Sequence, residues 1–197
     1  MTAGTPPRDR GPHTISASFT YDGGHFLLQR VPEPTVAIFA PGASSFAALL
    51  LEAHKAFERG SVKADELLQR IGSDLPAAVV GCIHAARYEI EDSSQSMLLR
   101  AAAFGKALVP TEVDNMLLAN TCNTLRVLNA LRAPRVGMPL TWAQFERVGA
   151  DAVLRRLLAR HEHLLAWRIA EHLRLPEIQA AAVRRDHDLR RISASLT

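Results

Sequence analysis

Apolar positions recur at helical spacing through residues 41 to 193, and residues that start or stop helices bracket each run. In "PGASSFAALLLEAHKAFERG", Phe46, Leu49, Leu50, Ala53 and Phe57 fall on one helical face. Ser44 and Ser45 precede them as caps, and Gly60 follows as a stop. "SVKADELLQRIG" repeats the scheme between Ser61 and Gly72. In "SDLPAAVVGCIHAARYEIED", Pro76 sits near the first turn and Val79, Val80, Ile83, Ala86 and Ile90 are expected to point inward. "SSQSMLLRAAAFGKALV" comes next, with Ser93 or Ser94 as its cap. "PTEVDNMLLANTCNTLRVLNALRAP" reads as one long or broken helix ending before Pro134. After a loop at "RVGMPL", Thr141 caps a short helix in "TWAQFERVG". "LLARHEHLLAWRIAEHLRLPEIQ" and "PEIQAAAVRRDHDLRRISA" complete a series of about eight or nine helices. No strict repeat length marks them, so the expected architecture is an irregular α-solenoid of stacked helical pairs.

Residues 14–40 have a different texture. "ISASFTY" alternates, "DGG" signals a turn, and "HFLLQRV" follows as a second strand. A lone hairpin is marginal in water, so this one is expected to belong to a larger sheet or to pack on something else. The opening stretch, "MTAGTPPRDRGPH", is polar and rich in Pro and Gly, and has no apolar core of a secretion signal. The expected division is a disordered 1–13, a β-hairpin at 14–40, and a helical array at 41–197 whose C-terminal end frays.

Composition sharpens the picture. Aromatics are only 6% of the chain while alanine and leucine abound, which favours helices. Net charge is +3, from 23 basic and 20 acidic side chains that are interleaved rather than segregated. The densest basic pairs, Arg155-Arg156, Arg184-Arg185 and Arg190-Arg191, fit a solvated helix face. A basic helical module that binds nucleic acid or an acidic membrane surface remains the alternative reading.

Candidate chemistry is sparse. His161, His163 and His172 gather in one apolar run, yet on a continuous helix His161 and His163 point about 160° apart. A polar turn at His161-Glu162-His163 explains them better than a metal site. Leu154, Leu157, Leu158, Leu165, Ile169 and Leu173 then pack the two helices together. Trp142 and Trp167 suit stacking on bases, but fit a helical core more readily. Cys82 and Cys122 are far apart in apolar contexts and read as buried thiols of an intracellular protein. No phosphate loop or nucleophile elbow is present.

Four blocks, in order, resemble the vacuolar protein sorting-associated protein 16 family across residues 25–180. They are "PGASSFAALLLEAHKAFERGSVKADELLQRI", "SSQSMLLRAAAFGKAL", "TCNTLRVLNALRAPRVGMPLTWAQFE" and "LLAWRIAEHLRLPEIQ". The most specific positions include Leu98, Leu99, Arg100, Ala101, Phe104 and Gly105 in "LLRAAAFGK", and Leu125, Arg126, Leu128 and Asn129 in "LRVLNALR". Gly137, Pro139 and Leu140 in "GMPLT", and Leu173, Arg174, Leu175 and Pro176 in "AEHLRLPE", complete the set. The resemblance implies that these positions are structural, with no catalytic, cofactor-binding or metal-binding residue. It implies a scaffold subunit of the HOPS and CORVET membrane-tethering complexes, cytoplasmic and indirectly attached to late endosomes, lysosomes or vacuoles. The implied partners are the other class C core subunits, with no nucleic acid. Family members carry a β-propeller followed by an α-solenoid, so the hairpin resembles the propeller's tail and the chain a fragment spanning the junction. The segment that docks the SM-type SNARE regulator is expected to lie outside this chain.

Overall fold

The computed structural model describes residues 31–175 in full and the backbone of 16–21 and 24–29. The described residues are mostly helical. Strands β1 (Ser16–Tyr21) and β2 (Gly24–Gln29) run antiparallel, Ser16 opposite Gln29 and Tyr21 opposite Gly24. The helices follow in order: α1 (Glu33–Phe39), α2 (Phe46–Glu58), α3 (Lys63–Ile71), α4 (Leu75–Tyr88) and α5 (Asp92–Leu108). Then come α6 (Asn115–Arg132), α7 (Trp142–Val148), α8 (Ala150–Ala159) and α9 (His163–His172). No described helix is long and apolar enough to cross a membrane. The expected disorder of 1–13 and the expected fraying at the C-terminal end lie outside the described residues, as does Pro176.

Small residues bring α2, α4 and α5 close together. A Cβ placed on Gly81 of α4 would stand 2.9 Å from the Cβ of Ala47 on α2. One placed on Gly105 of α5 would stand 2.7 Å from Val79 and 2.8 Å from Leu50. At these crossings Cys82 reaches across to α2 and donates its Sγ–H to the Ala47 carbonyl at 3.4 Å. Around the crossings Leu50, Ala53, Ala78, Val79, Ile83, Ala86, Leu98, Ala101 and Ala102 are fully buried. The same apolar cluster continues through Leu128 and Leu131 of α6, Leu154 and Leu157 of α8, and Ala166 and Ile169 of α9.

Local signals place most of the ends. Ser45 caps α2 by accepting from the Ala48 N–H, and Thr141 forms a reciprocal capping box with Gln144 on α7. Three helices end in the same hydrogen-bonded turn. After α2, the Ser61 N–H reaches the Ala56 carbonyl and the Gly60 N–H reaches Phe57. After α8, Glu162 reaches Leu157 and His161 reaches Leu158; after α9, Leu175 reaches Ala170 and Arg174 reaches Glu171. This is the Schellman pattern, whose C′ residue is left-handed. Glycine fills that place after α2, with φ +66°. His161 (φ 62°) and Arg174 (φ 56°) fill it after α8 and α9.

Several expectations need correction. The helical array begins at Glu33 rather than 41, because Pro32 is an extended cap, Pro34 suits a first turn and Glu33 favours its positive end. Ile90 points outward, 66% exposed, because α4 stops at Tyr88 and Glu89 is extended. Phe46 and Phe57 are also exposed; α2 buries Ala47, Leu50, Leu51 and His54 instead. Phe57 lies against the Phe104 ring at 5.0 Å between centroids. Ser93 and Ser94 sit inside the first turn of α5 rather than capping it, since Asp92 already opens the helix. The stretch read as one long or broken helix follows the first of those readings: α6 is unbroken and ends before Pro134, with the Asp114 carboxylate accepting from the Met116 N–H at 2.8 Å as its cap.

Two substitutions test this packing. Gly105→Val is expected to lose about 1–3 kcal/mol in urea unfolding, because it overpacks a site already in contact with Val79 and Leu50. His161→Gly is expected to gain roughly 0.5–1 kcal/mol in the same measurement. It removes the strain of a left-handed non-glycine residue, less the extra freedom glycine has when unfolded.

Candidate functional site

The residues singled out by sequence are separated by the fold. The turn after α8 swings His161 and His163 together, with ring centroids 5.8 Å apart, so the continuous-helix geometry does not apply. His172 lies at the opposite end of α9. Among the described residues no group of three or more His, Cys, Asp or Glu side chains is placed to hold a metal. Leu154, Leu157, Leu158 and Ile169 are buried between α8 and α9, and Leu165 and Leu173 pack at the edge.

The thiols are poorly suited to nucleophilic chemistry. Burial pushes the Cys82 thiol up to about 12. Burial also raises that of Cys122, against the opposing effect of Arg126. Each therefore stays protonated at neutral pH, and the thiolate is the reactive form. Trp142 is buried, with the Arg87 guanidinium 4.7 Å from its ring centroid. Trp167 is half-buried against the same apolar cluster.

Two polar joints connect α1–α5 to α6–α9. In the first, Arg87 of α4 donates to Thr121 Oγ1 of α6, Nη2 at 3.2 Å, while lying over Trp142 of α7. In the second, Gln95 of α5 meets Asn129 of α6. Asn129 Nδ2 donates to Gln95 Oε1 at 2.7 Å, and Gln95 Nε2 donates to Asn129 Oδ1 at 3.3 Å. Gln95 Nε2 also donates to the Glu89 carbonyl at 2.9 Å, tying down the link between α4 and α5. Arg132 extends the chain, donating from Nη1 to Asn129 Oδ1 and from Nε to the Leu140 carbonyl, both at 3.1 Å. Burial lowers the Arg132 pKa, and nearby Asp92 opposes that effect.

Beside this second joint, α5 and α6 line an open groove of about 410 Å³. Leu99, Leu118, Cys122 and Leu125 give it an apolar lining, and Arg100 and Arg126 stand on its two walls. This groove is the candidate functional site. Nothing in the hydrophobic pattern marks it, since it depends on how two helices are placed against each other; the exposed arginines beside buried leucines were its only trace.

The motif positions fall into four structural settings, with Leu125 in two of them. Leu98, Ala101, Gly105, Leu125 and Leu128 are buried in the core, with Phe104 packed at its edge. Leu99, Arg100, Leu125, Arg126 and Asn129 line the groove. Gly137 (φ +63°) turns the loop, Pro139 is exposed, and Leu140 supplies the carbonyl that holds Arg132. Leu173, Arg174 and Leu175 form the turn that closes α9.

The groove predicts an order of thiol labelling. Under native conditions a disulfide reagent at mildly alkaline pH is expected to modify Cys122, which lines the groove, and to leave Cys82 untouched until denaturant is added. Mass spectrometry of the labelled peptides reads the order.

Comparison with known proteins gives the chain its relatives. A family model described as "Vps16, N-terminal region" matches residues 19–117. Protein VACUOLELESS1 of Arabidopsis thaliana is 45% identical over 147 residues, covering 75% of this chain and 17% of that protein. The vacuolar protein sorting-associated protein 16 homolog of Drosophila melanogaster is 39% identical over 157 residues, 78% of this chain and 18% of its own. The Saccharomyces cerevisiae protein of that name is 34% identical over 139 residues, 70% of this chain and 17% of its own. The chain thus spans about a fifth or less of the length of these relatives. With a family model covering half of its residues, the chain belongs to the vacuolar protein sorting-associated protein 16 family.

Proposed function

We propose that the chain is part of a scaffold subunit for membrane tethering of the HOPS and CORVET type, acting in protein sorting to the lysosome or vacuole. Family membership carries the reading. The use of the polar side chains supports it. Gln95 and Thr121 are buried, and with Asn129 and Arg132 they are engaged in holding one helix to the next. An array held in this way presents surfaces rather than a reaction centre. On this reading β1 and β2 close the last blade of a propeller, and α1 to α9 begin the solenoid. The partners are the other class C core subunits, and attachment to late endosomal, lysosomal or vacuolar membranes is peripheral and indirect. The SM-type regulator docks further along the solenoid.

A tagged copy of the chain expressed in cells with an intact tethering complex tests this. Affinity capture is expected to recover the other class C core subunits, identified by mass spectrometry. Capture of none of them, with the chain helical by circular dichroism, would contradict the reading. So would salt-sensitive binding to DNA or to anionic vesicles as the dominant interaction.

A further inference from the structure

The α5–α6 groove has a composition that selects its occupant. Its apolar residues Leu99, Leu118 and Leu125 lie between two walls, Arg100 on α5 and Arg126 on α6. Both arginines are exposed, and among the described residues neither lies within 4.0 Å of a carboxylate. The one acidic residue of the lining, Asp92, sits at the far end, where Arg132 offsets it. Besides the polar Gln95, Ser96 and Asn129, the lining therefore combines apolar side chains with one exposed cation from each helix. At about 410 Å³ it holds a few side chains and not a whole helix. An occupant that inserts apolar anchors from one face and carries carboxylates beside them satisfies both features.

We propose that this groove docks an amphipathic helix of a partner protein, with leucine-like anchors on the apolar residues and Asp or Glu paired to Arg100 and Arg126. The inference rests on the scaffold reading and names the chemistry of one of its partner surfaces. Guanidinium groups favour carboxylates through two parallel hydrogen bonds, and apolar anchors at i, i+3 or i+4, and i+7 are how a helix lies in such a groove. A nucleic-acid backbone would meet the arginines but find no use for the leucines between them.

The probe is a fluorescein-labelled helical peptide with Leu at i, i+4 and i+7 and glutamates flanking them, titrated with the full chain and read by anisotropy. A second peptide carries Lys in place of every Glu. Saturable binding of the Glu peptide is expected, with the Lys peptide weaker by about tenfold or more. The double variant Arg100→Glu, Arg126→Glu is expected to reverse that preference while keeping its helical circular dichroism, because both side chains are exposed. Bound peptide should also slow labelling of Cys122. No saturable binding, or binding indifferent to the charge reversal, would overturn the proposal. Displacement of the peptide from these arginines by an oligonucleotide or an anionic vesicle more readily than by unlabelled peptide would also overturn it. Peptide binding without recovery of class C subunits in the capture experiment would sustain the groove and sink the scaffold reading. Undiminished capture of those subunits by a double variant whose peptide preference has not changed would do the reverse.

Discussion

An amide pair, Gln95 on α5 and Asn129 on α6, is the contact on which the arrangement of the two helices depends. Apart from the Arg87–Thr121 joint, contacts between the helices are mainly apolar, and such packing tolerates small slides between neighbours. Two amides that exchange hydrogen bonds do not. Buried Gln95 has its carbonyl and amide both engaged, and Asn129 Oδ1 accepts from Gln95 and Arg132 together. Leaving one such group unsatisfied costs about 1–3 kcal/mol, so register and separation are held closely. From this pair the bonds run to the Glu89 carbonyl on one side and to Arg132 and the Leu140 carbonyl on the other. The α4–α5 link, α6 and the loop before α7 are thereby fixed to one another.

The contrast with α2, α4 and α5 is informative. There Gly81 and Gly105 let backbones approach so closely that a single Cβ would collide with Ala47, Val79 or Leu50. That packing leaves no space for a ligand. Between α5 and α6 an open groove runs alongside the polar joint of Gln95 and Asn129, with Arg100 and Arg126 in its lining. One helix, α5, thus buries Leu98, Ala101 and Gly105 on one face and offers Leu99 and Arg100 on another. The motif "LLRAAAFGK" encodes both faces at once.

Much of the fold was legible because its signals are local. Helical spacing, Ser45, Thr141, Gly60 and Gly72 placed the elements and most of their ends. The turn at His161-Glu162-His163 was also readable, although the left-handed histidine in it was not. The misplaced ends have a shared cause. Phe46, Phe57 and Ile90 fit an apolar stripe by spacing, but spacing says nothing about where a neighbour stops covering the stripe or, for Ile90, where its own helix stops. Helix α1 was missed because residues 14–40 were assigned together to the hairpin, although the prolines of "VPEP" suit a first helical turn. The groove was the least legible feature. Its lining comes from two consecutive helices whose relative placement the local pattern does not encode, and the partner of Gln95 lies 34 residues away.

A double-mutant cycle on Gln95→Ala and Asn129→Ala, read by urea unfolding, tests the central claim most directly. If the amide pair fixes α5 to α6, each single variant loses stability and the double variant loses clearly less than their sum, a coupling of about 0.5–3 kcal/mol. Additive losses would mean that the two amides act independently and that apolar packing alone sets the joint and its groove.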